Sequence, residues 1–172
     1  MTQTAPLPQA PAEVPMPELT FGSADPRVVM GMTGLQQLQA TVAQQIPAPP
    51  IVAVVNQWIH EVAEGRIVFL GNPSADFLNP VGLVHGGWAM TLLDSALGCA
   101  IHTTLARGET YASLGTEVKF LRPILPDTGQ VRCIGEVQSR GRNTATSHGW
   151  IEDAKGRMLA TGTSTCFIRQ IG

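Results

Sequence analysis

Hydrophobic and polar positions along the chain predict a β-hairpin, then one long apolar helix, then a four-stranded meander. Residues 57–63 and 66–71 have the composition of strands, and the pair Glu64-Gly65 between them is typical of a tight turn. Segments rich in Val, Ile, Thr, Phe and Trp, separated by short polar turns, cover 111–122, 130–139, 144–152 and 157–168. These segments predict four antiparallel strands.

The stretch from Val81 to Ile101 is too long for a strand, and a loop rich in Pro, Asn and Gly over 72–82 precedes it. Arg107-Gly108 supplies the basic residue and the stop glycine of a helix end. A charged residue inside the stretch, Asp94, argues against a membrane span. A helix that is apolar on nearly every face must be surrounded. We therefore predict an α+β fold in which one antiparallel sheet curls around one long central helix.

Composition changes before residue 51, where nine of the thirteen prolines lie. Residues 1–28 combine Pro, Ala and Gln with few large apolar side chains, which predicts a disordered tail. Within 29–50, Thr33 is a plausible N-cap for an amphipathic helix that packs as a flap on the main domain and leads into a Pro-rich linker. Its apolar positions have helical spacing: Leu35, Leu38, Val42 and Ile46. The main domain is predicted to span 51–172.

Charge and residue usage exclude several classes of function. A net charge of -2 with only two lysines gives no basic stripe for nucleic acid. The three cysteines and four histidines show no metal-ligand spacing, and the cysteines are interpreted as buried thiols in a reducing cytoplasm. A hydrophobic content of 44% with only 14% charged residues indicates that another copy covers part of the surface. We expect an oligomer with no nucleic-acid partner, no membrane partner and no metal.

Asp94 is the full charge in the apolar helix, and it shares a helical face with Met90, Thr91, Leu97 and Gly98. We expect its carboxylate to be at least partly buried. A buried Asp is either satisfied by a neighbouring hydroxyl or backbone amide, or it is a functional group in a cleft. The helix alone leaves both interpretations open.

His85-Gly86-Gly87 lies at the expected N-terminus of the same helix, where unpaired N–H groups can stabilise an oxyanion. Close packing of the helix is the alternative explanation for two glycines. Nine residues of helix place Asp94 about 13 Å from this end, too far for both to act on one carbonyl within one chain. A symmetric dimer with antiparallel helices would bring Asp94 close to Gly86 of the partner subunit.

These motifs resemble those of the hotdog-fold acyl-CoA thioesterases, in particular the phenylacetate-pathway branch, over about residues 50–169. The resemblance rests on Asn79-Pro80, Gly82, His85-Gly86-Gly87, Asp94 and the strand TEVKFLRP at 116–123. It implies a curved antiparallel sheet around a long helix, dimers that often pair into tetramers, and hydrolysis of an acyl-CoA without a cofactor.

The resemblance also implies roles for five residues. Asp94 would act as general base on water or as nucleophile on the thioester, and Gly86 would donate its N–H to the thioester carbonyl from the opposite subunit. Asn79 would place its amide near the nucleophile or water, while His85 would support the loop and the carbonyl site. Ser113 falls where some members carry a hydroxyl that helps to hold water.

Three further features have weaker implications. The turn Arg140-Gly141-Arg142 suits the phosphates of coenzyme A, although two solvated arginines at a hairpin explain it equally. Gly98 occupies a position that is polar in some relatives. Large apolar residues on the helix are candidates for the acyl pocket or for the core: Trp88, Met90 and Leu93.

Two other functions compete with hydrolysis of a thioester. A hotdog enoyl-thioester hydratase or dehydratase would share proton transfer between an acid and a histidine, in a different motif. A non-catalytic acyl-CoA-binding hotdog protein would bind the ligand without turnover. A serine hydrolase is disfavoured because the chain has no GxSxG motif.

Overall fold

The computed structural model describes residues 13–171, and within them six antiparallel strands form one sheet that curves around a long helix. The helices are α1 (Pro26–Val29), α2 (Gly34–Val42), α3 (Ile51–Val55) and α4 (Gly86–His102). The strands are β1 (Gln57–Ala63), β2 (Arg66–Gly71), β3 (Glu109–Phe120), β4 (Val131–Arg140), β5 (Thr144–Glu152) and β6 (Met158–Gln170). The sheet order is β1-β2-β4-β5-β6-β3, so β1 and β3 are its edges. The predicted α+β architecture is confirmed.

The β1–β2 hairpin has the predicted bounds, because Gly65 at φ +72° takes the left-handed conformation that the tight turn requires. Helix α4 ends at His102, earlier than the predicted end near Arg107. The hydroxyls of Thr103 and Thr104 donate to Ala100 O and Ile101 O at 2.6 and 2.7 Å, so they satisfy carbonyls of the last turn.

The main core lies between α4 and the concave face of the sheet. Leu92, Leu93 and Leu97 of α4 have no exposed surface, and each contributes about 1.5–3 kcal/mol by burial. Gly135 of β4 permits close contact with the helix, because a Cβ at this position would lie 2.4 Å from Ala96 O. The face of α4 that carries Leu92, Leu93, Ala96 and Leu97, here called the closed face, therefore packs directly against the backbone of the sheet.

Helix α2 begins with the predicted N-cap. Thr33 Oγ1 accepts from Gln36 N, and Gln36 Oε1 accepts from Thr33 N, which completes a capping box. The helix ends at Val42 instead of continuing to 46, because Gln44 takes a left-handed conformation at φ 57°. Helix α3, which the sequence pattern did not predict, follows Pro50 and ends at Val55, with Asn56 as its left-handed C-cap.

The predicted disordered tail covers 1–28, of which residues 1–12 lie outside the described residues. Residues 13–22, here called the N-terminal segment, contact the main domain. Val14 and the Gln130 side chain exchange two hydrogen bonds of 3.1 and 2.7 Å, and Phe21 forms a parallel bridge with Ala48. Met16 and Leu19 pack against the cluster of Val52, Trp58 and Leu70. The described part of the tail thus packs on the domain, while the division at residues 28 and 50 stays a prediction.

Candidate functional site

Asp94 lies in the middle of α4, on a face that the sheet leaves uncovered. Its side chain is exposed in a single chain, as is Met90, whose side chain is 46% exposed. The expectation of partial burial is therefore wrong for one chain. The sheet covers the side of the helix that carries Leu93 and Leu97, and it does not surround the whole helix.

Thr116 of the edge strand β3 holds the Asp94 carboxylate. Its hydroxyl donates to Asp94 Oδ1 at 3.1 Å and lies 3.2 Å from Ser164 Oγ, which in turn donates to Gly115 O at 3.3 Å. Asp94 Oδ2 makes no hydrogen bond to any residue between 13 and 171. One carboxylate oxygen is thus fixed, and the other is available to take a proton or attack a carbonyl carbon.

Tyr111 fills the space that Gly98 leaves one helical turn after Asp94. A Cβ on Gly98 would lie 2.6 Å from Tyr111 Oη and 3.1 Å from Cε2, so this arrangement requires glycine. Burial raises the pKa of the Tyr111 hydroxyl above its ordinary value, and the neighbouring Cys99, Cys166 and Asp94 add to the rise. A neutral hydroxyl therefore occupies the place of the polar side chain expected at position 98.

His85 and Gly86 form the N-terminus of α4, as predicted. His85 is the N-cap, and its Nδ1 accepts from Gly87 N–H at 2.9 Å, while its own N–H donates to Phe77 O at 2.7 Å. The Gly86 N–H makes no hydrogen bond to another described residue, and Phe120 lies over its Cα. The geometry leaves the Gly86 N–H available to a carbonyl oxygen.

Asn79 stabilises the loop before α4. Its Oδ1 accepts from Val81 N and Leu83 N, both at 3.0 Å, and its N–H donates to Leu83 O at 2.8 Å. In a single chain Asn79 does not contact Asp94, so its observed contacts are those of a loop-forming residue.

Ser113 also does not contact Asp94. Its Oγ lies 3.8 Å from Cys166 Sγ, and Thr116 takes the position beside the carboxylate. A register irregularity between Ser113 and Gly115 separates the two hydroxyls along β3. Sequence reasoning missed Thr116 because a bulge of this kind cannot be located from composition.

The turn after β4 contains one engaged arginine and one exposed arginine. Arg140 pairs with Glu109 at 2.8 Å and also donates to the carbonyls of Gly141 and Arg142. Burial acts to raise the pKa of Glu109, but the hydrogen bond from Ala106 N–H and the pairing with Arg140 together hold this pKa below its ordinary value. The Arg142 side chain is exposed. Of the two predicted phosphate contacts, only Arg142 presents a guanidinium without a salt bridge within residues 13–171.

A cavity of about 270 Å³ extends from Asp94 under α2 and the N-terminal segment. It takes residues from α2, α3, α4, β1, β2, β3 and the N-terminal segment, and Asp94, Ser95, Cys99 and Tyr111 form one side of it. Trp88, Met90 and Leu93 do not line this cavity. Trp88 donates to Val55 O from its buried indole, and Leu93 is in the main core.

Cys99 is a thiol within this cavity, not a thiolate. Burial, with a further contribution from Asp94, raises its pKa to about 12. No group of three or more His, Cys, Asp or Glu side chains in the range 13–171 could hold a metal ion. The described helices include none that is long and apolar enough to cross a membrane.

Comparisons with known proteins agree with this geometry. The family model described as Thioesterase superfamily matches residues 81–160, which include α4 and Asp94. A phenylacetic acid degradation-related protein from Ralstonia eutropha JMP134 is 28% identical with a TM-score of 0.69, covering 76% of this chain and 98% of that chain. A variant of the phenylacetic acid degradation protein PaaI from Thermus thermophilus is 28% identical with a TM-score of 0.62, covering 69% and 97%.

The PaaI protein from the E. coli phenylacetic acid degradation operon is 20% identical with a TM-score of 0.68, covering 81% of this chain and 94% of that one, and so shares the fold. No curated protein matches the sequence. The chain has the hotdog fold. Its resemblance to hotdog thioesterases of the phenylacetic acid degradation branch is confirmed, and the comparisons support thioester hydrolysis as its general activity.

Proposed function

We propose that this protein hydrolyses an acyl-CoA thioester to a free acid and coenzyme A at a site shared by two subunits. The observation that carries the proposal is the position of Asp94. Its carboxylate lies on the uncovered face of α4, held through one oxygen by Thr116 and open at the other. A fixed carboxylate with a free oxygen suits a general base or a nucleophile.

The second subunit is proposed to supply the partner's Gly86. Strand β3, of twelve residues with Leu114 67% exposed, pairs with β6 on one side and has no partner among residues 13–171 on the other, and such an edge pairs readily with another strand. Pairing of two β3 edges around a twofold axis would cover the exposed face of α4 and place two helices side by side. Asn79 and His85 support the loop and helix end that present the N–H of Gly86.

In the general-base form of the mechanism, water gives a proton to Asp94 as its oxygen attacks the thioester carbonyl carbon. The oxyanion accepts a hydrogen bond from the partner's Gly86. Collapse of this intermediate breaks the C–S bond, and the proton returns from Asp94 to the leaving thiolate. In the nucleophilic form, Asp94 attacks the carbonyl carbon and expels the coenzyme A thiolate, which leaves a mixed anhydride that water then cleaves. Label in Asp94 after a single turnover in heavy-oxygen water would demonstrate this form with attack of water on the Asp94 carbonyl, because the general-base form places no label there.

The nucleotide of coenzyme A is proposed to bind at the end of the sheet where α4 ends. Arg142 is exposed there, and the neighbouring chain segments present Arg107 and Arg169, which are exposed as well. Arginine matches phosphate in geometry and charge. Arg140 keeps the turn in place through Glu109. A cytoplasmic location and a dimer or tetramer complete the proposal.

The first experiment removes the proposed oxyanion donor. Proline is tolerated at the first position of a helix, so Gly86→Pro deletes the N–H with little harm to α4. Gly86→Ala keeps the N–H and controls for the added Cβ, which would meet the Phe120 ring at 3.0 Å. We expect thiol release from acyl-CoA to fall about 10²- to 10³-fold in Gly86→Pro and much less in Gly86→Ala.

Mixing two inactive variants tests whether the site is shared. If each site takes Asp94 from one subunit and Gly86 from the other, a dimer of Asp94→Asn with Gly86→Pro contains one intact site. Random mixing then restores about a quarter of the native activity. No restoration would place both groups in one chain and overturn the shared site. No thiol release by the native protein from any acyl-CoA would overturn hydrolysis itself.

A further inference from the structure

We infer that the cavity beside Asp94 is an acyl-binding pocket whose closed end is the N-terminal segment, and that this segment limits the substrate to aryl or medium-chain acyl groups. The inference rests on the proposed hydrolysis at Asp94. Its new content is the role of residues 13–22, which lie outside the region that matches the thioesterase family.

The cavity changes in polarity from one edge of the sheet to the other. On the β3 side its lining includes the Asp94 carboxylate and the hydroxyls of Ser95 and Tyr111. On the β1 side the lining is apolar: Pro17, Leu19, Ile51, Val52, Trp58 and Ile59. The polar part of the lining thus comes from α4 and β3, whereas the apolar part comes from β1, α3 and the N-terminal segment. A thioester carbonyl at Asp94 therefore directs its hydrocarbon toward the N-terminal segment.

The size of the cavity sets the class of acyl group. If each methylene-sized group takes about 30 Å³, as a water molecule does in the liquid, the cavity of about 270 Å³ holds about nine such groups. A phenylacetyl or octanoyl group fits this volume, whereas a palmitoyl chain exceeds it. The cavity is also smaller than most pockets for drug-sized ligands, so a long chain has no room to fold back.

Leu19 is the residue of the N-terminal segment best placed to set this limit. Its side chain packs against Val52 and Trp58, and the same three residues line the cavity. The segment itself is fixed by the hydrogen bonds between Val14 and Gln130. The end of the pocket is thus formed by an ordered part of the chain.

The test compares two variants at Leu19 with a matched control. Leu19→Trp fills the end of the cavity, and Leu19→Ala enlarges it. Met16→Ala removes an apolar side chain from the same segment and the same cluster, but Met16 does not line the cavity. For each protein, kcat/KM is measured with butyryl-, octanoyl-, phenylacetyl- and palmitoyl-CoA, and calorimetry measures binding of the thioethers S-octyl-CoA and S-hexadecyl-CoA.

We expect the native protein to prefer octanoyl- and phenylacetyl-CoA to palmitoyl-CoA. Leu19→Trp should lower kcat/KM for the two preferred substrates at least about tenfold relative to butyryl-CoA, since even one methylene changes discrimination by this much. Leu19→Ala should raise the ratio for palmitoyl-CoA, and Met16→Ala should leave the profile unchanged. If Leu19→Trp does not fold, the comparison of Leu19→Ala, which should change the chain-length profile, with Met16→Ala, which should not, still tests the pocket.

The binding measurements separate this inference from the proposed activity. If no thioester is hydrolysed but Leu19→Trp weakens S-octyl-CoA and Leu19→Ala strengthens S-hexadecyl-CoA, hydrolysis fails and the pocket stands. If thioesters are hydrolysed but both Leu19 variants keep the native chain-length profile and thioether affinities, the pocket assignment is overturned. Failure of every thioether to bind the native protein would also overturn it.

Discussion

The two faces of α4 differ in how far the rest of the chain covers them. The closed face packs on β4 and β5 so tightly that Ala96 O approaches Gly135, and Ser147 Oγ donates to Leu97 O at 3.0 Å inside the core. The open face carries Met90 and Asp94, both exposed in a single chain. One helix therefore serves as the centre of a core and as the base of a candidate site.

This contrast separates stability from activity along one helix. A larger side chain at the contact with the closed face would collide with tightly packed backbone atoms. Substitutions there should therefore lower the free energy of unfolding. Changes on the open face remove groups that the fold does not need, so they should act on turnover.

The largest expected effect is on the open face. Asp94→Asn should reduce turnover of acyl-CoA about 10²- to 10⁴-fold, because it removes the proposed base or nucleophile. The free energy of unfolding should change by less than about 0.5 kcal/mol, since the side chain is exposed. Thiol release and urea denaturation measure the two quantities. Asp127→Asn, the same substitution at an exposed residue between β3 and β4, is the control and should leave both unchanged. Turnover by Asp94→Asn at the native rate would contradict the assignment.

The opposite pattern is expected on the closed face. Gly135→Ala places a Cβ 2.4 Å from Ala96 O and should lower the free energy of unfolding by about 1–3 kcal/mol. Gly115→Ala is the matched control, because no atom lies within 4 Å of a Cβ built there. Equal denaturation midpoints for these two variants would show that the contact between helix and sheet is not tight.

A smaller effect is expected from Thr116, which links the edge strand to the open face. Thr116→Val removes the hydrogen bond to Asp94 Oδ1, a loss of about 0.5–1.5 kcal/mol, so kcat/KM should fall up to about tenfold. Thr116→Ser restores the hydroxyl and should recover most of the activity. If both variants lose the same activity, the methyl group and its packing matter instead of the hydrogen bond.

The smallest effect is expected at Cys99. Its pKa of about 12 keeps the thiol protonated at every pH well below that value, so no thiolate is available as a nucleophile. Cys99→Ser, a near-isosteric change in the cavity lining, should lower kcat/KM less than any substitution above and should keep the native pH profile of kcat/KM between about pH 6 and 9. Loss of turnover in this variant would require a catalytic role for the sulfur.

The order of the six strands, α2 and α4 could be predicted from the sequence because its signals are local, whereas α1 and α3 were not predicted. The bounds of β1 and β2 follow from two apolar segments around a turn glycine, and the start of α2 follows from the N-cap residue Thr33. The end of α2 at Val42 could not be predicted, since it depends on the left-handed conformation of Gln44, which a glutamine in the sequence does not indicate.

The candidate site was predictable in part. The motif around Gly86 and Asp94 locates the helix that carries both, but helical periodicity does not tell which face of the helix the sheet covers. The exposure of Asp94 was therefore missed. The neighbours Thr116 and Tyr111 were also missed, because a β-bulge and a contact across the fold place them beside Asp94 and Gly98.

The fit of Tyr111 against Gly98 also restricts how this sequence can evolve. A side chain larger than hydrogen at 98 collides with the partly buried Tyr111, and a smaller residue at 111 leaves a void above the glycine. Each single substitution is therefore costly, whereas the paired exchange of a small polar residue at 98 with a smaller residue at 111 avoids both penalties. The two positions should covary among homologues and show strong epistasis.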